Sequence, residues 1–573
     1  MIRLAFDFEH LGHLEFASPL AVVAAESLAD VRPALRAVEA AAAAGRWVAG
    51  FVSYEAATAF DPALRVRPPL RGPLAWFGIF DGPAPAASAA AGETRLTGLE
   101  PDVSRAEHAD AVEAVRAALG RGQAYQVSLT FRLRGRFEGD PLALYRRMRG
   151  AQGGLRCAFL QLGRRAIVSA SPELFFERRG DRIAVRPMKG TARRGRFTEE
   201  DDRLAAVLAA SEKDRAENVM IVDLMRNDVG RIARLGTVHV AELCAVERYP
   251  TVLQMTSTLE ARLSPGTSLE AIFGALFPCG SVTGAPKASA MSLIADLERS
   301  SRGVYCGAVG IVAPGGDASF NVAIRTLDLD LDTGEAIYGT GGGVTWLSSP
   351  EGEWDEALAK AMVLARPEPG FHLLETMRMD SGACERLERH LARLESSARY
   401  FGFHFDTPSI RAAIERETRA FPREPRRLRL LLSESGTAGV ETAPAPPAPP
   451  GPVAVALARA PVSRDDRFLF HKTTRREIHE ARRRERPEAF DVLLQNEAGE
   501  LTEFTIGNLV VEIGGERLTP PREAGLLAGV FRAELLARGE VRERPLRPSD
   551  VRAARRAWLV NSLRGWVPVR LVE

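Results

Sequence analysis

The sequence predicts an α+β protein of several domains, on three observations. Strand-like and helical patterns interleave from Ala106 to Leu364 without a regular βαβ rhythm, which disfavours a doubly wound parallel sheet. At 573 residues the chain is too long for one compact core and should hold roughly two to four domains. Two proline-rich breaks then divide it. Arg366-Pro-Glu-Pro-Gly370 follows a helical stretch and precedes a strand-like run, so it marks the main junction. Ala443 to Pro452 reads as a stiff extended linker. The expected layout is a short N-terminal region (1–92), a first domain (105–366), a linker (367–370) and a second module (371–573). Within that module, subdomains of about 371–442 and 453–573 flank the proline-rich segment.

Local patterns supply the elements. The alanine-rich Val38 to Ala44 reads as helix and is too short to span a bilayer. Glu107 to Gly120 has the periodicity of an amphipathic helix, and Tyr125 to Arg134 the alternation of a strand. Glu200 to Leu224 reads as one long helix, with Asp214 and Glu217 one turn apart on one face. Tyr305 to Val312 and Ala318 to Asp330 read as a hairpin about Pro314-Gly-Gly-Asp317.

Composition excludes several classes. A hydrophobic content of 46% with 26% charged residues is ordinary for a globular protein. The net charge of +2 gives no electrostatic case for nucleic acid or an anionic membrane. Arginine runs at Arg423 to Arg429 and Arg475 to Arg486 lie beside acidic residues and read as solvated helix faces. Five scattered cysteines without C-x-x-C spacing argue against disulfides or zinc and fit a reducing cytosol. The N-terminus lacks a basic stretch followed by an apolar core, so no leader and a cytoplasmic location are expected.

Some residue types carry chemistry. Asp214 with Glu217, and Glu353 with Glu356, are acidic pairs at i, i+3 that can present oxygens to one point, as Mg²⁺ prefers. By spacing alone, a solvated helix face is the better reading of either pair. Arg325 lies in an otherwise apolar run, Ser319 to Leu329, and calls for an anion there, a bidentate carboxylate or an internal salt bridge. Gly339-Thr-Gly-Gly-Gly343 would let backbone amides approach an anion closely. It is not a nucleotide loop, since the G-x-G-x-x-G template fails at Val344 and Gly280 to Lys287 misses the Walker spacing.

An ordered set of motifs goes further. Ser169-Ala-Ser-Pro-Glu173, Arg186-Pro-Met-Lys-Gly-Thr191, Lys213 to Asn218, Gly280 to Lys287 and Ala323-Ile-Arg-Thr326 together resemble the chorismate-utilising enzymes. Lys189 in that set is similar to aminodeoxychorismate synthase component I, where anthranilate synthases have Ala. The resemblance implies an anthranilate-synthase-component-I-like fold. It also implies that Lys189 attacks C2 of chorismate while Glu173 protonates the departing 4-hydroxyl, after which ammonia enters at C4. Glu217 and Glu356 would be direct Mg²⁺ ligands, supported through water by Asp214 and Glu353. Thr191, Tyr305, Arg325, Gly341, Gly342 and Lys360 would contact the substrate. Two departures stand out: Gln254 replaces a substrate-contacting His, and Leu347-Ser-Ser-Pro350 replaces an acidic loop.

A second set begins after Gly370. Leu373 to Arg378, Leu387 to Leu394, Phe470-His-Lys-Thr-Thr-Arg475, Leu501 to Asn508 and Leu526 to Arg532 resemble fold-type IV pyridoxal phosphate enzymes. By that resemblance Lys472 would bond the cofactor's aldehyde and shuttle the proton, and Glu503 would pair with the pyridine nitrogen. Arg393, Gly529 and Val530 would hold the phosphate. Thr376 matches a threonine of aminodeoxychorismate lyases, whereas Phe531 replaces a frequent threonine. Joined, the two sets imply conversion of chorismate to 4-aminobenzoate, a folate precursor. No G-x-C-x-G or H-P-E element of a glutaminase is seen, so ammonia is expected from solution or from a separate glutamine amidotransferase subunit as partner. A homodimer through the second module is compatible with the resemblance. Two alternatives stay open, an anthranilate synthase and a synthase whose second module is a cofactor-free scaffold.

Overall fold

The computed structural model describes residues 2–69, 71–85, 92–364, 370–421, 424–447 and 449–572. Apart from Gly370, the expected 367–370 linker lies outside the described residues. The chain divides into two compact units, Met1–Arg194 with Ala205–Glu368 and Gly195–Leu204 with Pro369–Glu573.

In the first unit, antiparallel sheets of nine and ten strands pack face to face. Alternation along each strand makes this work. Leu4, Phe6 and Phe8 of strand Ile2–Phe8 meet Ala49 and Phe51 of strand Trp47–Val52 in the layer between the sheets. Val48 and Val52 point the other way, into a core with helices Leu28–Ala43, Glu212–Gly230 and Leu269–Leu276. Ala5 likewise turns to the outer face of the nine-stranded sheet, where Tyr145 and Met148 of helix Pro141–Gln152 and Trp354 of helix Pro350–Ala361 cover it.

Two chain segments pass from one sheet to the other side by side. Strand Arg165–Ala170 of the nine-stranded sheet leads through Ser171-Pro172-Glu173 into strand Leu174–Arg179 of the ten-stranded sheet. Strand Ala318–Val322 returns through Ala323-Ile324-Arg325 into Thr326–Asp330. Register pairs Ser169 with Thr326 and Leu174 with Asn321 hold the crossings together. This corrects the expected hairpin. Ala308–Val312 and Ala318–Val322 do pair, but Arg325 sits at a crossing with φ +50° rather than inside a strand.

The expected long helix is also two, Thr198–Ala210 and Glu212–Gly230. Ser211 breaks it because its hydroxyl accepts from Asp214 N and starts a new helix. Asp214 and Glu217 keep their shared face on that second helix.

The second unit contains a four-stranded antiparallel sheet centred on strands Leu373–Asp380 and Arg426–Leu432, and an eight-stranded sheet. Helices Leu387–Phe401 and Thr407–Ala420 cover the smaller sheet. The larger one closes on itself through the added pairing of Leu501–Phe504 with Gly507–Ile513, around a core including Val455, Leu493, Phe504 and Leu559. Arg426 to Arg429 of the expected Arg423 to Arg429 helix face therefore lie on a strand, while Arg423 lies outside the described residues. Residues Gly195–Leu204 belong to this unit: Phe197 joins Leu469, Phe470 and Val492 in one apolar cluster, and the Tyr400 hydroxyl donates to Gly195 O at 2.7 Å. Among the described residues no helix is long and apolar enough to cross a membrane, and all five cysteines are free.

Candidate active sites

Lys189 lies on strand Met188–Arg193 at an edge of the ten-stranded sheet, not in a surface turn. A bulge between Met188 and Thr191, with Gly190 at φ +85°, shifts the register there. Gln254, across the ladder, accepts from the Thr191 hydroxyl at 3.0 Å and donates to Gly190 O at 2.8 Å. Gln254 thus pins the lysine strand, a role that sequence comparison with a histidine could not suggest.

The glycine-rich run is a strand, Glu335–Val344, and its glycines make room for side chains. A Cβ on Gly343 would stand 2.8 Å from Lys189 Nζ and 2.2 Å from Gln126 Nε2. On Gly342 it would meet Glu353 Oε2 at 2.6 Å, and on Gly339 the Tyr305 ring at 2.3 Å. The neighbouring strand Thr326–Asp330 pairs only with Ala336 to Tyr338. The edge of Gly339 to Gly343 on that side is therefore unpaired among the described strands, leaving amides for a ligand. Gln126, whose Oε1 is buried without a partner, was not singled out from sequence.

The electrostatics suit nucleophile and acid. Burial, and then the Lys360 ammonium, draw the Lys189 amine below the usual lysine range. The neighbouring cation is Lys360, not the sequence-adjacent Arg186, which pairs with Glu247 at 2.6 Å. Glu173, 2% exposed, is pushed up to about 7 by burial, against the pull of a Ser281 hydrogen bond and of Lys189. Lys360 Nζ donates to Gly341 O and pairs with Glu356, both at 2.8 Å.

Glu217, Glu353 and Glu356 gather beside these lysines. Burial raises Glu217, with Asp214 and Glu356 adding to it, and burial raises Glu353, with Glu356 adding. Burial also opposes ionisation of Glu356, but Lys360 holds it below the usual range. An oxygen-only donor set of crowded carboxylates suits Mg²⁺, although no group of three potential ligands stands at metal-holding distance among the described residues. Arg325 reaches the side-chain oxygen of Gln152. Among the described residues no carboxylate pairs with it, so the internal salt bridge is not made. Tyr305 packs under Arg132, 5.0 Å from ring centre to guanidinium.

In the second unit, Thr376, Arg393, Lys472, Glu503, Gly529 and Val530 all line one cavity of about 310 Å³. Leu374 N donates to Lys472 O at 2.9 Å, tying the lysine segment to the central strand of the smaller sheet. Burial, then Arg476 and Arg393, lower Lys472 to about 7. Glu503 is buried, accepts from Asn508 Nδ2 at 3.3 Å and lies 3.5 Å from His479 Nε2. Asn508 also donates to Leu527 O at 2.8 Å, joining the acid to the turn before Gly529.

Arg393 is gripped by Glu375 through Nε at 2.8 Å and Nη2 at 2.6 Å, and donates to Ala528 O at 3.2 Å. Its remaining N–H groups stay available to an anion. Glu375 escaped sequence reasoning, yet it sits in the quoted Leu373 to Arg378 motif. Burial opposes its ionisation, but Arg393 and then His390 hold it at about 2. Gly529 caps helix Val530–Ala537, and a Cβ there would strike Asn508 Oδ1 at 2.1 Å. Phe531 packs in the apolar cluster with Val510 and Trp558 under the Arg386 guanidinium.

Residues 84–366 match the chorismate binding enzyme family, and residues 372–572 match amino-transferase class IV. The chain is a fusion of these two families. Its chorismate-binding part is 39% identical over 274 residues to aminodeoxychorismate synthase component 1 of Salmonella typhimurium, covering 48% of this chain and 60% of that protein. It is 38% identical over 272 residues to an anthranilate synthase component 1 of Haloarcula marismortui, covering 48% and 55%. The chain thus spans little more than half the length of these curated relatives. The crystal structure of anthranilate synthase component I from Streptococcus pneumoniae shares the fold, with a TM-score of 0.51 and 24% identity over 64% of this chain and 92% of that one. Overall identity does not separate the two synthase types, so the choice between products falls on particular residues.

Proposed function

We propose that the fusion aminates chorismate to 4-amino-4-deoxychorismate and then releases 4-aminobenzoate and pyruvate. One observation carries the first half: Lys189, the residue that distinguishes aminodeoxychorismate from anthranilate synthases in the motif, reaches the glycine strand with a lowered pKa while Glu173 is held near 7. The neutral amine of Lys189 attacks C2, both ring double bonds shift, and the C4 hydroxyl leaves as water with the Glu173 proton. Ammonia then bonds to C4 and the bond to Lys189 breaks, returning the amine. Glu217 and Glu356, with Asp214 and Glu353 behind them, would hold Mg²⁺ and supply charge for a substrate carboxylate. Ammonia would come from a separate glutamine amidotransferase, in keeping with relatives named as component 1.

In the second unit Glu503, Lys472 and Arg393 fit pyridoxal phosphate: the Glu503 carboxyl and the Lys472 amine are costly to bury without a cofactor to pair or neutralise them, and Arg393, held by Glu375, keeps N–H groups for a phosphate. When bound, that group would supply an electron sink for the carbon bearing the amine. Glu503 would hold the proton on the pyridine nitrogen, Arg393 with the amides at Gly529 and Val530 the phosphate. Lys472 would take the C4 proton, and pyruvate would leave as the ring becomes aromatic. Incubation with chorismate, ammonium, Mg²⁺ and pyridoxal phosphate tests the whole reading. Equimolar 4-aminobenzoate and pyruvate are expected; anthranilate, or aminodeoxychorismate accumulating under saturating cofactor, would overturn it.

A further inference from the structure

Arginines in the second unit are mostly paired. Arg386 pairs with Glu534, Arg393 with Glu375, Arg482 with Glu485, Arg483 with Asp491 and Arg532 with Glu543. Several of the exceptions lie in the cofactor cavity, where Arg476 donates to the Thr505 backbone oxygen. Arg427, Arg475 and Arg564 all line it, and none has a carboxylate within ion-pair distance among the described residues. Arg475 rests on the Phe468 ring at 4.1 Å. Among the described residues Arg427 and Arg564 have no such contact, and Arg427 Nε is buried without a hydrogen-bond partner.

These two arginines feel each other. Burial, then Arg427, lower the Arg564 guanidinium, and Asp491 opposes this. Asp491 offers little relief, because its oxygens already accept from Arg483 at 3.2 Å, Val492 N at 2.8 Å, Ile506 N at 3.2 Å and the Thr505 hydroxyl. Two like charges left unpaired in a shared, partly dehydrated cavity are unfavourable unless an anion joins them. That anion is not the one expected at Arg393, whose corner is formed by Ala528 and Gly529. Arg427 instead comes from the four-stranded sheet, two residues along from the register partner of Thr376. Arg564 comes from the turn between strands Arg556–Asn561 and Gly565–Val572.

We propose that Arg427 and Arg564 form a clamp for a dicarboxylate, one guanidinium per carboxylate, that selects doubly anionic ring substrates in the second cavity. The proposal rests on the cofactor reading of that cavity and adds what the substrate must carry. Guanidinium groups recognise carboxylates through parallel hydrogen bonds, so spacing two of them sets the distance between the two acids.

Titration of the full-length protein loaded with pyridoxal phosphate tests this, using the cofactor's absorbance and fluorescence, which belong to the second unit alone. The probes are 3-(carboxymethoxy)benzoate, an unreactive aryl ether with two carboxylates, and benzoate with one. The wild type should bind the dicarboxylate at least about 10-fold more tightly than benzoate. Arg427→Gln and Arg564→Gln should each weaken dicarboxylate binding by about 10- to 100-fold, as expected for a charge-assisted contact. Pyridoxal phosphate affinity should stay within about 3-fold in both, a scale below that of one such contact. Equal wild-type affinity for the two probes would overturn the clamp and leave the cofactor reading standing. A matching loss of pyridoxal phosphate affinity in the variants would assign the arginines to the phosphate and also overturn it. If no cofactor band forms at all, both readings fall together.

Discussion

Lys472 should capture pyridoxal phosphate near neutral pH, because the fold holds its amine at about 7 rather than at the 10.5 of a free lysine. Only the neutral amine attacks an aldehyde. At pH 7 half of the Lys472 side chains are neutral, against roughly one in 3,000 for a lysine 3.5 units higher. Stopped-flow absorbance of the cofactor-free protein mixed with pyridoxal phosphate should therefore give a rate that is half-maximal near pH 7. Arg476→Gln should move that midpoint upward, since after burial the Arg476 charge is the largest influence lowering the lysine. Lys472→Met should abolish capture and leave no borohydride-reducible adduct. The same shift has a consequence for stability. Between pH 7 and 10.5 the unfolded chain binds the proton that the folded one has lost, so stability of the cofactor-free protein rises with pH through that window. The slope is at most about 1.4 kcal/mol per pH unit, and Lys472→Met removes it. A capture midpoint above pH 9 in the wild type would refute the argument that burial and neighbouring arginines tune this lysine.

Four other outcomes follow from the geometry. Lys189→Ala should stop formation of 4-amino-4-deoxychorismate without unfolding the protein, and quenched wild-type enzyme should carry a chorismate-derived mass on Lys189; full amination by the variant sinks the assignment. Because Glu173 must be protonated to release the hydroxyl, amination should fall as pH rises through about 7, and a profile flat to pH 9 would exclude it as the acid. Glu217→Gln, Glu356→Gln or excess EDTA should each block amination while sparing cleavage of supplied aminodeoxychorismate, so unaffected amination in chelator would refute the carboxylate site. Glu375→Gln should cost about 3–5 kcal/mol by stranding Arg393 and weaken pyridoxal phosphate binding, with partial rescue by Glu375→Asp; unchanged cofactor affinity would show that Glu375 supports the fold alone.

Much of the architecture was legible because it is written in local periodicity. The helix before Gly120 begins at Arg105, where Ser104 and Glu107 form a reciprocal cap, and the strand expected from Tyr125 runs Gln126–Gly139. Errors arose where one side chain or one torsion overrides a continuous pattern. Ser211 interrupts an apolar helical rhythm that would otherwise run from Glu200 to Leu224. Arg325 adopts φ +50° and sends an unbroken strand-like run from one sheet into the other. The run Gly339 to Gly343 looked like an anion loop because glycine permits loops, but here it permits a strand to lie against Lys189, Gln126 and Tyr305.

The two sites were legible to different depths for a physical reason. The residues proposed to perform chemistry, Lys189, Glu173, Lys472 and Glu503, sit in short motifs because their backbone must be placed exceptionally, at a bulge, a sheet crossing or a loop tied to a sheet. Groups that tune them come from far along the chain and leave no local mark. Lys360 lies 171 residues beyond Lys189, yet it is the cation that, after burial, draws that amine below the usual lysine range. Glu375 and Arg393 face each other across a helix and a strand. From sequence Arg427 looked like a member of a solvated basic run and Arg564 carried no signal, yet the fold brings both to one cavity without carboxylate partners among the described residues. A charge's function therefore depends on what the fold withholds from it. That is why the arginines lacking partners, rather than the many that have them, define the chemistry still to be tested in the second unit.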